Sequence, residues 1–303
     1  MNKMLAAYLC AMLTVALWAM SYIWADRLLA LDIPVEFFVP LRMFLAGVLL
    51  WIINLATGQK MHIHRKDMLK YLLLSLCMPF IYFLAETYGL KFTDSPTITS
   101  LIIATNPIFA MAVGMLVFKE SFSRLNILGV FIAIAGLWTV TYTRTETGPM
   151  FIIGIIVLFI AVISEVSQIA FTKALSEDYS PSVIVMHQFL MGAVFFLPMF
   201  FTKGIRNFEP GLYLSWEVLY PTLSLALFCS ATAYTSWAVA IKHLGVARTS
   251  VFLAVVPLVT AVLAFIFGEE TLSGIQWAGL AVGLVGIYLT QLQKKLYEPS
   301  RSK

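Results

Sequence analysis

The chain has 303 residues, of which 60% are apolar or aromatic and only 12% charged, with a mean hydropathy of +0.89. A soluble domain carries about 25% charged residues, and an exterior this apolar is stable in lipid rather than in water. The composition therefore predicts a polytopic membrane protein and excludes soluble enzymes, nucleic-acid binders and secreted scaffolds; the net charge of +4 is spread over short loops and is no nucleic-acid signal.

A hydrocarbon core of about 30 Å takes about 20 apolar residues per helix. Ten runs meet that length: 5–25, 35–56, 68–90, 96–118, 125–142, 151–174, 182–201, 217–241, 247–267 and 275–293. The first follows Lys3 as a signal peptide would, but it continues to about Ala25 without a convincing cleavage site and reads as a retained helix. The connections are short and rich in helix breakers, as at Asp94-Ser95-Pro96, Thr147-Gly148-Pro149 and Glu209-Pro210-Gly211. None could hold a soluble domain, and no phosphate-binding G-x-x-x-x-G-K-[ST] loop is present. Cys10, Cys77 and Cys229 all fall in apolar runs and make neither a disulfide framework nor a metal spacing. His62 and His64 lie among Lys60, Arg65 and Lys66, a stretch that reads as contact with anionic lipid heads rather than a metal site. No metal and no cofactor is expected.

The Lys and Arg residues set the orientation. With the N-terminus in the cytoplasm, fourteen of the twenty fall on the inner side and five on the outer, with Arg42 inside a span. The positive-inside bias thus predicts both termini cytoplasmic, as an even number of spans requires.

Slid on itself by 150 residues, the chain gives an ungapped match from Pro96 to Trp138. Thr99-Ser100 meets Thr249-Ser250, Ala104 meets Ala254 and Pro107 meets Pro257. Glu120, Ser123, Gly129 and Gly136 meet Glu270, Ser273, Gly279 and Gly286. A weaker match at offsets near 145 joins Ser21 to Ser167, Arg42 to His187 and Gly47 to Gly192. The reading is two five-helix halves, 1–145 and 146–303. Five being odd, the second half enters the membrane from the opposite side, a plan common among secondary transporters.

Ten helices in a five-plus-five duplication, Trp18 and Ser21 late in the first helix, and Pro107 in the fourth resemble the drug/metabolite transporter superfamily, within it the EamA-type exporters. So does the stretch from Phe118-Lys119-Glu120 to Gly129 and Gly136, with its copy from Glu270 to Gly279 and Gly286. The resemblance covers nearly the whole chain. It implies an all-α membrane protein with a central cavity lined by helices from both halves, alternating access, and export of small metabolites or drugs.

The polar residues within the spans are the candidate working parts. Glu86 and Glu165 interrupt apolar runs, where a carboxylate is costly. Ser164, Gln168 and Thr172 share the helical neighbourhood of Glu165, and Tyr82 lies one turn before Glu86. A carboxyl group held away from water can carry a proton near neutral pH, which suggests proton-for-metabolite antiport. Two pairings follow: Arg42 with Glu86 in the outer half, and Glu165 with His187, the counterpart of Arg42, in the inner half. Trp18, Ser21, Tyr22, Tyr234, Trp237 and Asn106 are expected at the cavity, where broad rings with polar tips suit amphipathic ligands such as amino acids. Pro107 and Pro257 are expected to act as hinges. Gly129 with Ala133, and Gly279 with Gly283, are small-residue pairs that bring helices close. Glu120 and Glu270 are placed to cap the fifth and tenth helices.

The sequence thus predicts a secondary exporter of amino acids or similar amphipathic compounds, in a bacterial inner membrane, as a monomer or weak homodimer whose partners are its substrate and the bilayer. A passive facilitator or uptake carrier of the same fold remains open. So does a membrane-embedded lipid enzyme, although neither H-E-x-x-H nor G-x-S-x-G occurs.

Overall fold

The computed structural model describes residues 3–109, 123–142, 148–206, 208–245, 249 and 252–291. Among these residues there is no strand. The helices are α1 (Lys3–Ala30), α2 (Val35–Ala56), α3 (Arg65–Thr93), α4 (Pro96–Phe109), α5 (Arg124–Tyr142), α6 (Pro149–Leu175), α7 (Pro181–Gly204), α8 (Trp216–Leu244), α9 (Val256–Phe267) and α10 (Gly274–Gln291). Seven are long and apolar enough to cross a membrane, while α4, α9 and α10 are shorter apolar helices. Trp51, Trp138 and Trp216 all face outward.

Local chemistry sets the helix starts. Pro96, Pro149 and Pro181 open α4, α6 and α7, where a missing N–H costs nothing. Ser123 and Asn126 cap α5 reciprocally: the Ser123 N–H donates to Asn126 Oδ1 (3.0 Å) and the Asn126 N–H to Ser123 Oγ (3.2 Å). Ser273 and Gln276 repeat the device on α10, at 2.8 and 3.3 Å.

That box corrects the role expected of Glu270. With α10 already capped, the Glu270 carboxylate turns to α4, accepting from Ser95 Oγ (2.5 Å) and the Thr97 N–H (3.1 Å). A carboxylate there meets free N–H groups at the positive end of a helix. Glu120 lies outside the described residues.

The helices pair as α1 on α8, α2 on α7, α3 on α6, α4 on α9 and α5 on α10. Exchanging each helix of the first five for its counterpart in the second five leaves this set unchanged. At one end of the bundle Arg27 pairs with Glu269 (2.5 Å), Lys203 with Glu36 (3.6 Å), and the Tyr88 hydroxyl donates to Glu36 (2.6 Å). At the other, the Tyr179 hydroxyl donates to Asp67 (3.0 Å) and Lys66 pairs with Asp178 (3.6 Å). Each contact joins residues that the alternating spans put on one side.

The α5–α10 crossing is made of glycines. A Cβ on Gly136 would strike the backbone of Gly283, and one on Gly286 the backbone of Ala133. Without a hydrophobic drive between helices in lipid, backbone-to-backbone approach supplies the packing.

Candidate functional site

Four helices lose regular geometry part-way along the bundle, three of them next to a proline. In α3, Met78 leaves helical geometry (φ −140°, ψ 122°) just before Pro79. The neighbouring carbonyls find donors on other helices: Ser164 Oγ of α6 donates to the Cys77 carbonyl (2.6 Å), and Gln188 Nε2 of α7 to the Met78 carbonyl (3.0 Å). Irregular backbone survives inside a membrane only where protein satisfies it in this way. In α8, residues Leu225–Thr232 form wide π-helical turns. Within α4 and directly ahead of α9 the chain opens into a turn, at Ala104–Thr105 and Ala254–Val255, positions 150 apart, each directly before the segment that holds Pro107 or Pro257. A proline at the start of a helical segment needs no N–H donor, so both prolines begin a new segment rather than bend a continuous one.

These irregular stretches surround a buried cavity. Its lining comes from seven helices: Trp18, Ser21 and Tyr22 of α1; Arg42 of α2; Tyr82, Phe83 and Glu86 of α3; Ser100, Ile103 and Ala104 of α4; Glu165 of α6; Tyr234 of α8; and Leu253 and Val256 at the start of α9. The space is about 20 Å³, room for about one water molecule. Neither α5 nor α10 contributes a side chain to this lining.

One guanidinium and two carboxyl groups face this space. Arg42 is 2% exposed; its Nε–H donates to Ser230 Oγ (3.1 Å), and its Cζ lies 4.4 Å from the centre of the Phe83 ring. Glu86 accepts from the Tyr82 hydroxyl (2.7 Å). Glu165 is 5% exposed, and its Oε2 has no hydrogen-bond partner among the described residues. The Trp18 ring packs against Tyr234 (4.9 Å) and Trp237 (5.0 Å), and its buried indole N–H is likewise unpartnered.

The structure brings together most of the residues singled out from sequence. Trp18, Ser21, Tyr22, Arg42, Tyr82, Glu86, Glu165 and Tyr234 all line the cavity. Trp237 stands behind Trp18, Asn106 is buried beside Glu165, and Gln168 turns away to donate to Thr172 (2.8 Å). Neither expected pairing is a direct contact among the described residues. Arg42 and Glu86 share the cavity without an ion-pair contact, because Ser230 and Phe83 hold the guanidinium while Tyr82 holds the carboxylate. His187 does not line the cavity: its Nδ1 sits 2.9 Å from the Val183 carbonyl and its ring packs on Tyr71 (5.4 Å). It lies one turn beyond its own carbonyl partner, so the local contact wins over a distant relay with Glu165. Phe83, Ser100, Ile103, Ala104, Leu253 and Val256 were not anticipated as lining. The signal for Ser100 and Ala104 was their place in the repeat just ahead of Pro107. Among the described residues no group of His, Cys, Asp and Glu is arranged to hold a metal ion.

Comparison with known proteins agrees with this architecture. The chain is 23% identical over 300 residues to an uncharacterized transporter, YetK, of Bacillus subtilis, covering 97% of this chain and 89% of that one. It is 28% identical over 194 residues to a probable terminal-alkyne amino-acid exporter of Streptantibioticus cattleyicolor, covering 63% and 62%. A solved crystal structure superposes with a TM-score of 0.68 at 14% identity, over 95% of this chain and 96% of that one, a likeness of fold. The family model for EamA-like transporters matches twice, at residues 5–142 and 152–292. The chain belongs to the EamA-like transporter family and is a multi-pass membrane transporter, not an enzyme.

Proposed function

We propose that the protein is a secondary exporter of small amphipathic metabolites, amino acids foremost, that works by alternating access of the central cavity to the two sides of the membrane. The observation that carries this reading is the buried cavity itself, in which ionisable side chains meet aromatic walls between two helices broken at equivalent places. Buried charge in a membrane bundle is expensive and is spent on substrate or ion pathways. The exchange-symmetric helix pairing and the doubled family match support two oppositely pointed halves, 1–145 and 146–303. The charge bias supports cytoplasmic termini, and a relative in Escherichia coli named an inner membrane transporter supports a bacterial inner membrane. Amino acids are the preferred cargo because the Streptantibioticus relative is named for one and because the cavity offers both signs of charge.

In this reading Glu165 carries the coupling proton, being buried at the cavity with a free carboxyl oxygen. The test is flux of labelled amino acids from proteoliposomes with and without a pH gradient, for the natural protein and Glu165→Gln. A gradient-driven flux that Glu165→Gln uncouples supports antiport. Flux indifferent to the gradient makes the protein a facilitator, and a Glu165→Gln protein with unaltered flux and unaltered pH dependence removes the proton carrier.

A further inference from the structure

We propose that Arg42 is the carboxylate-binding residue of the cavity, and that it forms with Glu86 and Glu165 a dipolar site selective for zwitterionic α-amino acids over the amine or the acid bearing the same side chain. The proposal rests on the export reading above and deepens it.

The state of the guanidinium carries the argument. A buried arginine needs compensation for its lost hydration. Arg42 has its Nε–H on Ser230 and one face over Phe83, which fix its orientation. An arginine has five N–H donors, and among the described residues no protein acceptor takes the other four. No carboxylate is in ion-pair contact with it, although Glu86 lines the same cavity. The forked donor edge is thus held rigid beside the cavity, the arrangement suited to a planar carboxylate taken by two parallel hydrogen bonds.

The acidic groups line the same cavity from other helices: Glu86 of α3 is held by the Tyr82 hydroxyl, and Glu165 of α6 has an unpartnered Oε2 among the described residues. A carboxylate held at Arg42 directs the α-ammonium of the same ligand towards the glutamates, with Glu165 Oε2 free to accept from it. The rings of Trp18, Tyr22 and Tyr234 wall the remaining space and suit an apolar or aromatic side chain. A simple amine would satisfy the glutamates and leave Arg42 facing a cation. A simple acid would satisfy Arg42 and face two carboxyl groups. Only a ligand with both charges meets both ends. The present space admits about one water, so entry requires α4 and α9 to part at Ala104–Thr105 and Ala254–Val255.

The test uses the purified full-length protein in lipid nanodiscs, with tryptophan emission reporting titration by phenylalanine, phenethylamine and 3-phenylpropionate. The natural protein is expected to bind phenylalanine at least about tenfold more tightly than either analogue. Arg42→Gln is expected to lose about 10- to 150-fold in phenylalanine affinity, the range for one charge-assisted hydrogen bond, while phenethylamine binding holds or improves. Arg42→Lys should recover part of the loss. A melting curve shows whether each variant is folded; should Arg42→Gln not fold, Ser230→Ala, which frees only the Nε anchor, must weaken phenylalanine more than phenethylamine. The proposal is overturned if the natural protein binds the amine as tightly as the amino acid, if it binds none of the three, or if a folded variant keeps the natural preference. Phenylalanine bound with this preference but not moved across proteoliposomes would leave the dipolar site standing and sink the export reading instead.

Discussion

Gly136 and Gly283 face each other across the α5–α10 crossing, yet the structure predicts opposite outcomes for replacing them with alanine. A Cβ on Gly136 would fall on the backbone of Gly283 and lie 2.7 Å from the Gly279 carbonyl oxygen. Every obstacle is backbone, so no rotamer change relieves it, and the helices must separate by roughly 1 Å to restore van der Waals contact. A gap of that size forfeits a quarter to a half of each contact along the seam, and overpacking of this kind costs about 1–3 kcal/mol. A Cβ on Gly283 meets its nearest neighbours, Leu101 Cδ1 and Gly136 Cα, at 3.5 and 3.7 Å, ordinary contact. Gly283→Ala is therefore expected within about 0.5 kcal/mol of the natural protein, helped by the better helix propensity of alanine. Gly274→Ala, with nothing within 4 Å, is the control. Thermal melting in one detergent, followed by tryptophan emission, should rank Gly136→Ala clearly lowest. Equal melting of Gly136→Ala and Gly283→Ala would refute the reasoning, since it would mean that the seam yields or that the approach is symmetrical.

Two further contrasts use pairs of similar residues. Ser164 and Ser167 are both α6 serines, but Ser164 bonds to the Cys77 carbonyl on α3 while Ser167 bonds to Ile163 in its own helix. Ser164→Ala should cost about 1 kcal/mol, in the range of interhelical bonds in membranes, and Ser167→Ala close to nothing on the same melting assay. The second pair is Glu269 and Glu270. Glu270→Gln weakens charge-assisted bonds to Ser95 and Thr97 in a buried place and should destabilise by about 1.5–3 kcal/mol; Glu269→Gln breaks a half-exposed pair with Arg27 and should cost less than about 1 kcal/mol.

What could be read from the chain, and what could not, divides by the range of the interaction. The spans were legible because hydropathy acts along the sequence; 35–56 coincides with Val35–Ala56, and most other ends differ by a few residues. The breaks at Ala104–Thr105 and Ala254–Val255 were foreshadowed by Pro107 and Pro257, since a proline disturbs its own helix. Glu86 and Glu165 stood out because a carboxylate in an apolar run needs a reason wherever its helix packs. Partnerships were another matter. Glu270 looked like a cap for the helix that follows it, and only the fold brings it over α4. Arg42 invited pairing with the nearest carboxylate by depth, whereas Ser230 and Phe83 claim it from two other helices. The break in α3 before Pro79 was not read from the run 68–90, and nothing local to it named Ser164 and Gln188 as the donors that make the break tolerable.

The same division bears on how an exporter of this build would move. The α5–α10 seam lies outside the cavity, packs chiefly on itself and is closed by backbone contacts that leave no room to slide. Four of the seven helices that line the cavity have irregular geometry in or beside them: α3 at Met78, α4 at Ala104–Thr105, α8 over Leu225–Thr232, and the turn Ala254–Val255 directly before α9. Packed interfaces switch between discrete arrangements rather than stretch, so a seam with no slack resists motion and the helix breaks concentrate it. Under the exporter reading α5 and α10 are then the fixed frame, and access alternates by the segments of α4 and α9 turning at their breaks. Spin labels across α5 and α10 should keep one distance distribution when substrate is added, while labels on the segments of α4 and α9 that follow the breaks should shift; a substrate-dependent change confined to α5 and α10 would contradict this division of labour.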